Sequence, residues 1–398
     1  MTSRWLQARW LQSRSVRKFV RSRIALASLG LIGAYVLISV AVFGGLVALE
    51  ETEERIAAGN IPGLWGTYPL ENRFDDQEMY LEPIKRALAR PDAAAALSEI
   101  RFGHLHVADK SLEQLQRELD AAYQLFEELG QAEDLNQTPE LEPRLGELES
   151  ATLALFAPLS SGQATSRSFK LLLGTDRQGR SILLRAVYSV KVALQVGLVT
   201  ALISVVIGSL LGAAAGWFGG VVDHLVIWLY TTFSSIPNLV LLVLLAYMFG
   251  GTRFEGTLFP LYVSFGVTFW VGPCRVIRGE TLKLRELEYV QAATAMGFSR
   301  FYILVRHILP NASHLILINF SLLFIGAVKS EVILSFLGLG VKEGPSWGIM
   351  ISQAGSEVVN GFFWQIGTAT AFMFGLVLAF NIVSDALQDA FDPKHAGD

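Results

Sequence analysis

The residues of this chain that could do work rather than fill space are few. Residues 288–297 read Glu288-Tyr289-Val290-Gln291-Ala292-Ala293-Thr294-Ala295-Met296-Gly297, and Arg306-His307-Ile308-Leu309-Pro310-Asn311 follow. These types break no bonds. They suit mechanical coupling, which needs a short, stiff element held at both ends. Glu288–Ser299 can form a helix, and small Ala292, Ala293 and Ala295 let it sit close to a partner. Gly297 permits a turn or a close backbone approach. Pro310 disfavours helix at 307–309 or marks the start of the next apolar stretch. On composition alone a plain cytoplasmic loop with an Ala-rich helix explains the segment better.

Other candidates are sparser. Lys329 and Glu331 interrupt an apolar stretch, and intramembrane charges are functional candidates by default. Lys329 lies about 27 Å along a helix from Asn311, near its far end, where its amine can snorkel to the interface. Residues two apart point about 200° apart on a helix, so the pair cannot share one pathway. Glu331 remains a pathway or structural candidate. His104 and His106 would share a face on a strand and could bind metal, but no third ligand is evident and no metal site is assigned. The single cysteine, Cys274, reads as a small buried hydrophobe. Asn136-Gln137-Thr138 matches a glycosylation sequon that recurs by chance.

The elements that must hold these residues are membrane helices. The 398 residues are 52% hydrophobic and 17% charged, against about 25% charged in soluble proteins. Charge-free runs cover 24–49, 192–222 and 225–252, with shorter apolar runs at 256–274, 315–341 (broken at Lys329 and Glu331) and 362–384. A bilayer span needs about 20 residues, so the expected fold is an all-α membrane protein with six transmembrane helices. Pro237 interrupts the third span. Several such runs are a poor fit to a soluble core.

Residues 1–23 carry seven basic and no acidic residues, whereas 50–165 carry 23 acidic and 9 basic. The positive-inside tendency therefore places both termini in the cytoplasm and an insertion over 50–168 outside. The loop 274–310 has net positive charge, which agrees with a cytoplasmic position. The first span is too long for a signal-peptide core and reads as retained. The insertion should be mainly helical. Ser111 can cap a helix running to about Leu129 whose inner face is Leu112, Leu115, Leu119, Tyr123, Phe126 and Leu129, with Gly130 at a left-handed end. Asp92 can cap a second helix, and Pro62–Asn72 and Glu133–Pro143 read as loops. The expected domains are a basic N-terminus (1–23), a first span (24–49), the insertion (50–168), a connecting segment (169–191), a core (192–384) containing the loop 274–310, and a cytoplasmic tail (385–398).

The segment 289–311 resembles the loop by which the membrane subunit of an ABC importer engages its ATPase. Gly297, Leu309 and Pro310 keep that family's spacing, with Gln291 where the family has Glu. Leu173-Gly174-Thr175-Asp176 with Gly179-Arg180 is similar to a signature of dipeptide, oligopeptide and nickel importers, with Ser181 replacing its final Asp. Gly216–Gly220 with Asp223, Leu334–Gly340 with Pro345-Ser346-Trp347-Gly348, and Asn381, Asp385, Asp389, Asp392 and Pro393 match further family motifs in order. Thr231 stands where an acidic residue is frequent. The likeness covers 15–49 and 171–394, and it is to the second permease of the pair.

The resemblance implies a permease that carries peptides, nickel, opines or related solutes inward across a bacterial inner membrane. Its partners would be a homologous permease, two ATPase subunits, an extracytoplasmic solute-binding protein and membrane lipid, with no nucleic acid. The coupling residues would be Glu288, Gln291, Ala292, Ala293, Gly297, Arg300, Leu309 and Pro310. Glu286 and Arg285 would join Glu288 at the rim. This chain would bind no cofactor, because ATP and Mg belong to the partners. It shows no G-x-x-x-x-G-K-[ST] run and should not hydrolyse ATP alone. A sensor or scaffold with a ligand-binding ectodomain would need a cytoplasmic output domain, and about 14 residues follow the last span. A channel would need no ATPase, and an exporter fits the family poorly.

Overall fold

The computed structural model describes residues 22–66, 68–131, 139–342 and 344–391. The basic residues up to Arg21, the sequon at Asn136, and Asp392 and Pro393 lie outside the described residues. In chain order the helices are α1 (Arg23–Phe43), α2 (Leu49–Glu53), α3 (Leu70–Leu88) and α4 (Ala93–Glu99). A two-residue hairpin follows, β1 (Arg101–Phe102) and β2 (Leu105–His106). Then come α5 (Leu112–Gly130), α6 (Glu142–Ala154), α7 (Ser161–Lys170), α8 (Ile182–Phe218), α9 (Gly220–Ser234), α10 (Asn238–Tyr247), α11 (Phe259–Thr268) and α12 (Val271–Arg285). The last stretch holds α13 (Glu288–Ala295), α14 (Arg300–Ile303), α15 (Ser313–Phe336), α16 (Trp347–Val359) and α17 (Trp364–Phe391).

Four of the described helices, α1, α8, α15 and α17, are long and apolar enough to cross a bilayer. A fifth span forms if α9 and α10, bent by 83° about Ser235–Pro237, count as one. The stretch 256–274, expected as a further span, instead divides into α11 and α12 at Phe269-Trp270. Its second half runs into the charged residues Arg275, Arg278 and Lys283. Pro237 cannot donate to the ladder, and it opens α10 rather than sitting inside a helix. Other boundaries move as well. Helix α8 starts at Ile182, inside the segment expected to be a connector, and α17 carries helix past Asp385 and Asp389. Helix α16 occupies a stretch expected as loop.

The chain divides into two compact units. One is built from Ser189–Ser352 together with α1 and the residues from Thr370 on. Within it α8 and α12 meet backbone to backbone. A Cβ at Gly208, Gly212 or Gly216 would collide with the Trp270 carbonyl, the Cys274 carbonyl and Thr281 respectively. Glycines four apart make one bare stripe along α8, and α12 lies in it. Cys274 is buried there, and burial dominates its surroundings.

The other unit holds Val47–Tyr188 and Gln353–Ala369. Its core joins α3, α5 and α6 through Leu81, Ile84, Leu115, Leu119, Leu145 and Leu148. Phe74 stacks on Phe126 at 4.4 Å between ring centres. Ser111 caps α5 by accepting from the Gln114 N–H at 3.3 Å. Leu115, Leu119 and Leu129 face inward as expected, while Leu112 is exposed. Gly130 stays within the helix and is not left-handed. Asp92 precedes α4 without a side-chain capping bond. Residues 70–72, expected as loop, open α3, which even tolerates Pro83 because tertiary packing outweighs local propensity.

Candidate functional site

The expected coupling segment is a helix–turn–helix held at both ends. Helix α13 buries Val290 and Ala293, 1% and 2% exposed, one turn apart. Both join a cluster with Ile277, Leu284, Ile303 and Ile308. Its other face presents Glu288, Gln291, Ala292 and Ala295 to solvent. Gln291 donates from Nε2 to the Glu286 carbonyl at 3.0 Å, so this side chain closes the turn between α12 and α13. Ala293 therefore supplies the inner packing face, and Ala292 alone of that pair is free for an outside partner.

Gly297 ends α13 with φ +81°. The Phe298 N–H donates to the Ala293 carbonyl at 3.3 Å and the Gly297 N–H to the Thr294 carbonyl at 3.0 Å. That is a Schellman end, which needs a left-handed residue. A Cβ at Gly297 would meet nothing within 4 Å, so the position requires a backbone conformation and not room. Beyond it, Met296 and Phe301 are each 70% exposed, and Phe298 and Tyr302 stack at 5.1 Å between centres. Together they form an apolar ridge on the outside of the turn.

Three bonds cross-link this region, one at the ridge, one between α12 and α8, and one from α13 to the residues after the π-turn. The Trp217 indole donates to the Arg300 carbonyl at 2.9 Å. Arg285 donates from Nη1 to the Gly216 carbonyl at 3.3 Å. Asn311 donates from Nδ2 to the Tyr289 hydroxyl at 3.1 Å. Nearby, Arg278 grips Asp223 through two bonds of 2.5 and 2.7 Å, which joins α12 to the first turn of α9. None of these cross-links was expected from the sequence. The glycine stripe, with four-residue spacing ahead of Trp217, was the signal that α12 and α8 meet here.

Leu309 is half-buried and Pro310 exposed. Of the two outcomes expected at Pro310, a break in the helix ahead of it does not occur; the chain widens into a π-helical turn over Leu304–Ile308 and a new helical turn starts at Leu309. The Leu309 N–H reaches back to the Leu304 carbonyl. A wider turn accommodates a ring that would crowd an α-helical carbonyl.

The other expected residues fall elsewhere. Glu331 is buried and accepts from the Ser335 hydroxyl at 2.6 Å, while Lys329 is exposed on the same helix. Trp347 is buried, and Gly348 sits against the Val332 carbonyl. Pro237 lines a cavity of about 490 Å³ with Ser234, Asn238, Thr268 and Gly326. Glu331 is absent from that lining.

Gly174, Thr175, Asp176, Gly179 and Arg180 form a cluster of their own in the second unit. Asp176 is buried and accepts from the N–H groups of Gln178 and Arg180 at 2.9 and 3.0 Å. Its other oxygen takes Arg180 Nε at 2.8 Å and the Arg185 guanidinium. Both arginines also donate to the Gln353 side chain, at 3.1 and 3.0 Å. Thr175 donates to the Ala58 carbonyl at 2.7 Å, and Trp364 donates to the Thr175 carbonyl at 3.1 Å. Gly174 and Gly179 are left-handed and are hemmed in by the carbonyls of Ile61 and Ala57. Glu357, which accepts from the Arg177 N–H at 2.9 Å, is pushed up to about 7 by burial and by the Asp176 charge. The Asp176 carboxylate, the two guanidinium groups and the Thr175 hydroxyl all bond to neighbouring residues, so the motif fastens chain segments together.

His104 lies in the hairpin turn and His106 on β2, and no group of three His, Cys, Asp or Glu among the described residues could hold a metal ion.

Residues 204–396 match the model of the binding-protein-dependent transport system inner membrane component. The dipeptide transport system permease protein DppC of Bacillus subtilis is 34% identical over 222 residues, covering 56% of this chain and 68% of that protein. The chain belongs to this family. The oligopeptide transport system permease protein OppC of Haemophilus influenzae is 36% identical over 222 residues, covering 56% of this chain and 70% of that protein. OppC of Escherichia coli is 35% identical and is covered over 72% of its length. This binding-protein-dependent permease is thus an inner membrane transport component with several apolar helices. The family match does not include residues 47–188, the larger part of the second unit.

Proposed function

We propose that this permease is one membrane half of an ATP-driven importer for peptides, coupled to its ATPases through α13 and the ridge beyond it. The relatives' names support the peptide class. The observation that carries the coupling reading is the division of one short segment into a buried root, Val290 and Ala293, and an exposed apolar ridge, Met296, Phe298, Phe301 and Tyr302. Exposed aromatic and methionine groups rimmed by Glu286, Glu288 and Arg300 fit a protein interface.

In this reading two ATPase subunits close on ATP and Mg, and the ridge follows them. The root and the Trp217–Arg300 bond carry that displacement into α8 and α12. A homologous permease supplies the other wall of the pathway, and a solute-binding protein delivers cargo from outside. The six-span topology with a cytoplasmic N-terminus needs α11 and α12 together to complete one crossing. The cavity at Pro237 offers neutral hydroxyl and amide groups, which suit the uncharged backbone of a peptide. ATPase closure biases access only if the ridge binds the closed ATPase state better than the open one.

The test is the double substitution Met296→Glu and Phe301→Glu. It should leave the permease in the membrane, reduce ATPase co-purification at least tenfold and abolish tripeptide uptake. Wild-type uptake by that variant would overturn the reading.

A further inference from the structure

A cavity of about 750 Å³, unrelated to the transport residues above, lies in the unit that holds residues 47–188. The β-hairpin builds one wall. Arg101 faces His106 directly across the ladder, and Phe102 faces Leu105. Alternation puts each pair on its own face of the ribbon. Phe102 and Leu105 are buried in the core, so Arg101 and His106 stand together on the other side, and both line the cavity. His104 joins them from the turn. The floor is apolar, made by Leu97, Leu112 and Leu115.

Arg101 makes no ion pair among the described residues. Lys110 also lines the cavity, but Glu118 takes its amine at 2.6 Å, and the Ala154 carbonyl takes it at 2.9 Å. Arg101 and the two imidazoles face one acidic lining residue, Asp109. Asp109 and the Gln163 amide can serve amide N–H groups. A guanidinium paired with an imidazole favours a carboxylate, which Arg binds through two parallel bonds. The leucine floor favours an apolar body attached to it. Leu112 supports this independently: it was expected in the core of α5, yet it is exposed on the cavity side.

We propose that this cleft binds a short peptide through its terminal carboxylate, with Arg101 and His106 holding the carboxylate and Leu97, Leu112 and Leu115 receiving an apolar side chain. The volume suits a ligand of a few residues. The site stands on this unit alone and does not depend on the coupling reading.

The experiment uses the full-length permease in lipid nanodiscs without ATPase subunits, and calorimetry with N-acetyl-Leu-Leu. The acid should bind saturably, and its C-terminal amide at least tenfold more weakly. Arg101→Glu should reduce binding of the acid at least tenfold, and Leu112→Asp should do the same from the floor. Both positions are exposed, so circular dichroism should show unchanged folding. Absence of binding, equal binding of acid and amide, or full binding by either folded variant would overturn the proposal.

Discussion

The turn at Gly297 and the cluster around Asp176 use the same residue types to opposite ends. Each has left-handed glycine, arginine and a short acidic or amide partner. At the turn the glycine borders open space and its neighbours are exposed side chains. In the cluster the glycines press on carbonyls, and the charges are buried against one another. A motif of glycine and charge therefore does not by itself mark a working surface. What separates the two is burial: the charged side chains of the cluster are enclosed and bonded to distant chain segments, whereas Arg300 and the apolar side chains of the turn are exposed.

Removing a charge separates the regions most sharply. Asp176→Ala strands two buried guanidinium groups and should cost about 3–5 kcal/mol, because a buried charge without its partner is strongly destabilising. Limited proteolysis should then cut the 47–188 unit. Arg300→Ala, on the exposed turn, should leave the proteolytic pattern unchanged. If both variants resist equally, the cluster does not hold the unit together.

Glycine substitutions come next. Gly174→Ala adds a collision with the Ile61 carbonyl to an unfavourable backbone and should prevent folding of its unit. Gly297→Ala meets only the left-handed penalty, about 1–2 kcal/mol, and should leave a folded permease with weakened coupling. Thermal melting of the two variants measures the gap, and equal losses would contradict the distinction.

A third comparison turns on pH. Burial lifts Asp76, on α3, from 3.8 to about 7, with the neighbouring Asp75 charge adding to it and a Tyr68 hydrogen bond opposing it. Between those values the folded unit holds a proton that the unfolded chain has released, so its stability falls as pH rises from about 4 to 7. Asp76→Asn should flatten that fall and stabilise the unit above pH 7 by about 1–2 kcal/mol, a figure reduced because the carboxyl is only partly buried. Hydrogen exchange of α3 at pH 5 and pH 8 would show it. Glu357 shifts the same way and leaves a residual slope that Glu357→Gln removes. With the intrinsic pH dependence of amide exchange divided out, the exposed turn should show the same protection at both values.

The smallest effect is Trp217→Phe, which removes the indole bond to the Arg300 carbonyl while keeping an aromatic ring. It should cost about 1 kcal/mol and loosen only the turn. Exchange at Arg300–Ile303 reads it directly.

How much of this was legible in the sequence depended on the range of the interaction. Ser111 announced α5, and Gly297 announced a turn, because caps and left-handed positions are local. The spacing through Leu309-Pro310 located the segment without revealing that Val290 and Ala293 face inward, since that depends on Ile277 and Ile303 from other helices. Leu112 carries the right period but lies beyond the core's edge. The stretch 256–274 reads as one apolar run, but its backbone breaks at Phe269-Trp270, which composition does not reveal. The arginines converging on Asp176 were invisible, because Gln353 arrives from far along the chain.

The bare stripe of Gly208, Gly212 and Gly216 carries one further meaning. Where two helices touch main chain to main chain, no flexible side group lies between them to absorb a small movement. A nudge delivered to Val271–Arg285 must reach the lower half of α8 undiminished, like a rod set directly against a rod. A methyl group at any of those three positions would collide with α12 and force the two helices apart.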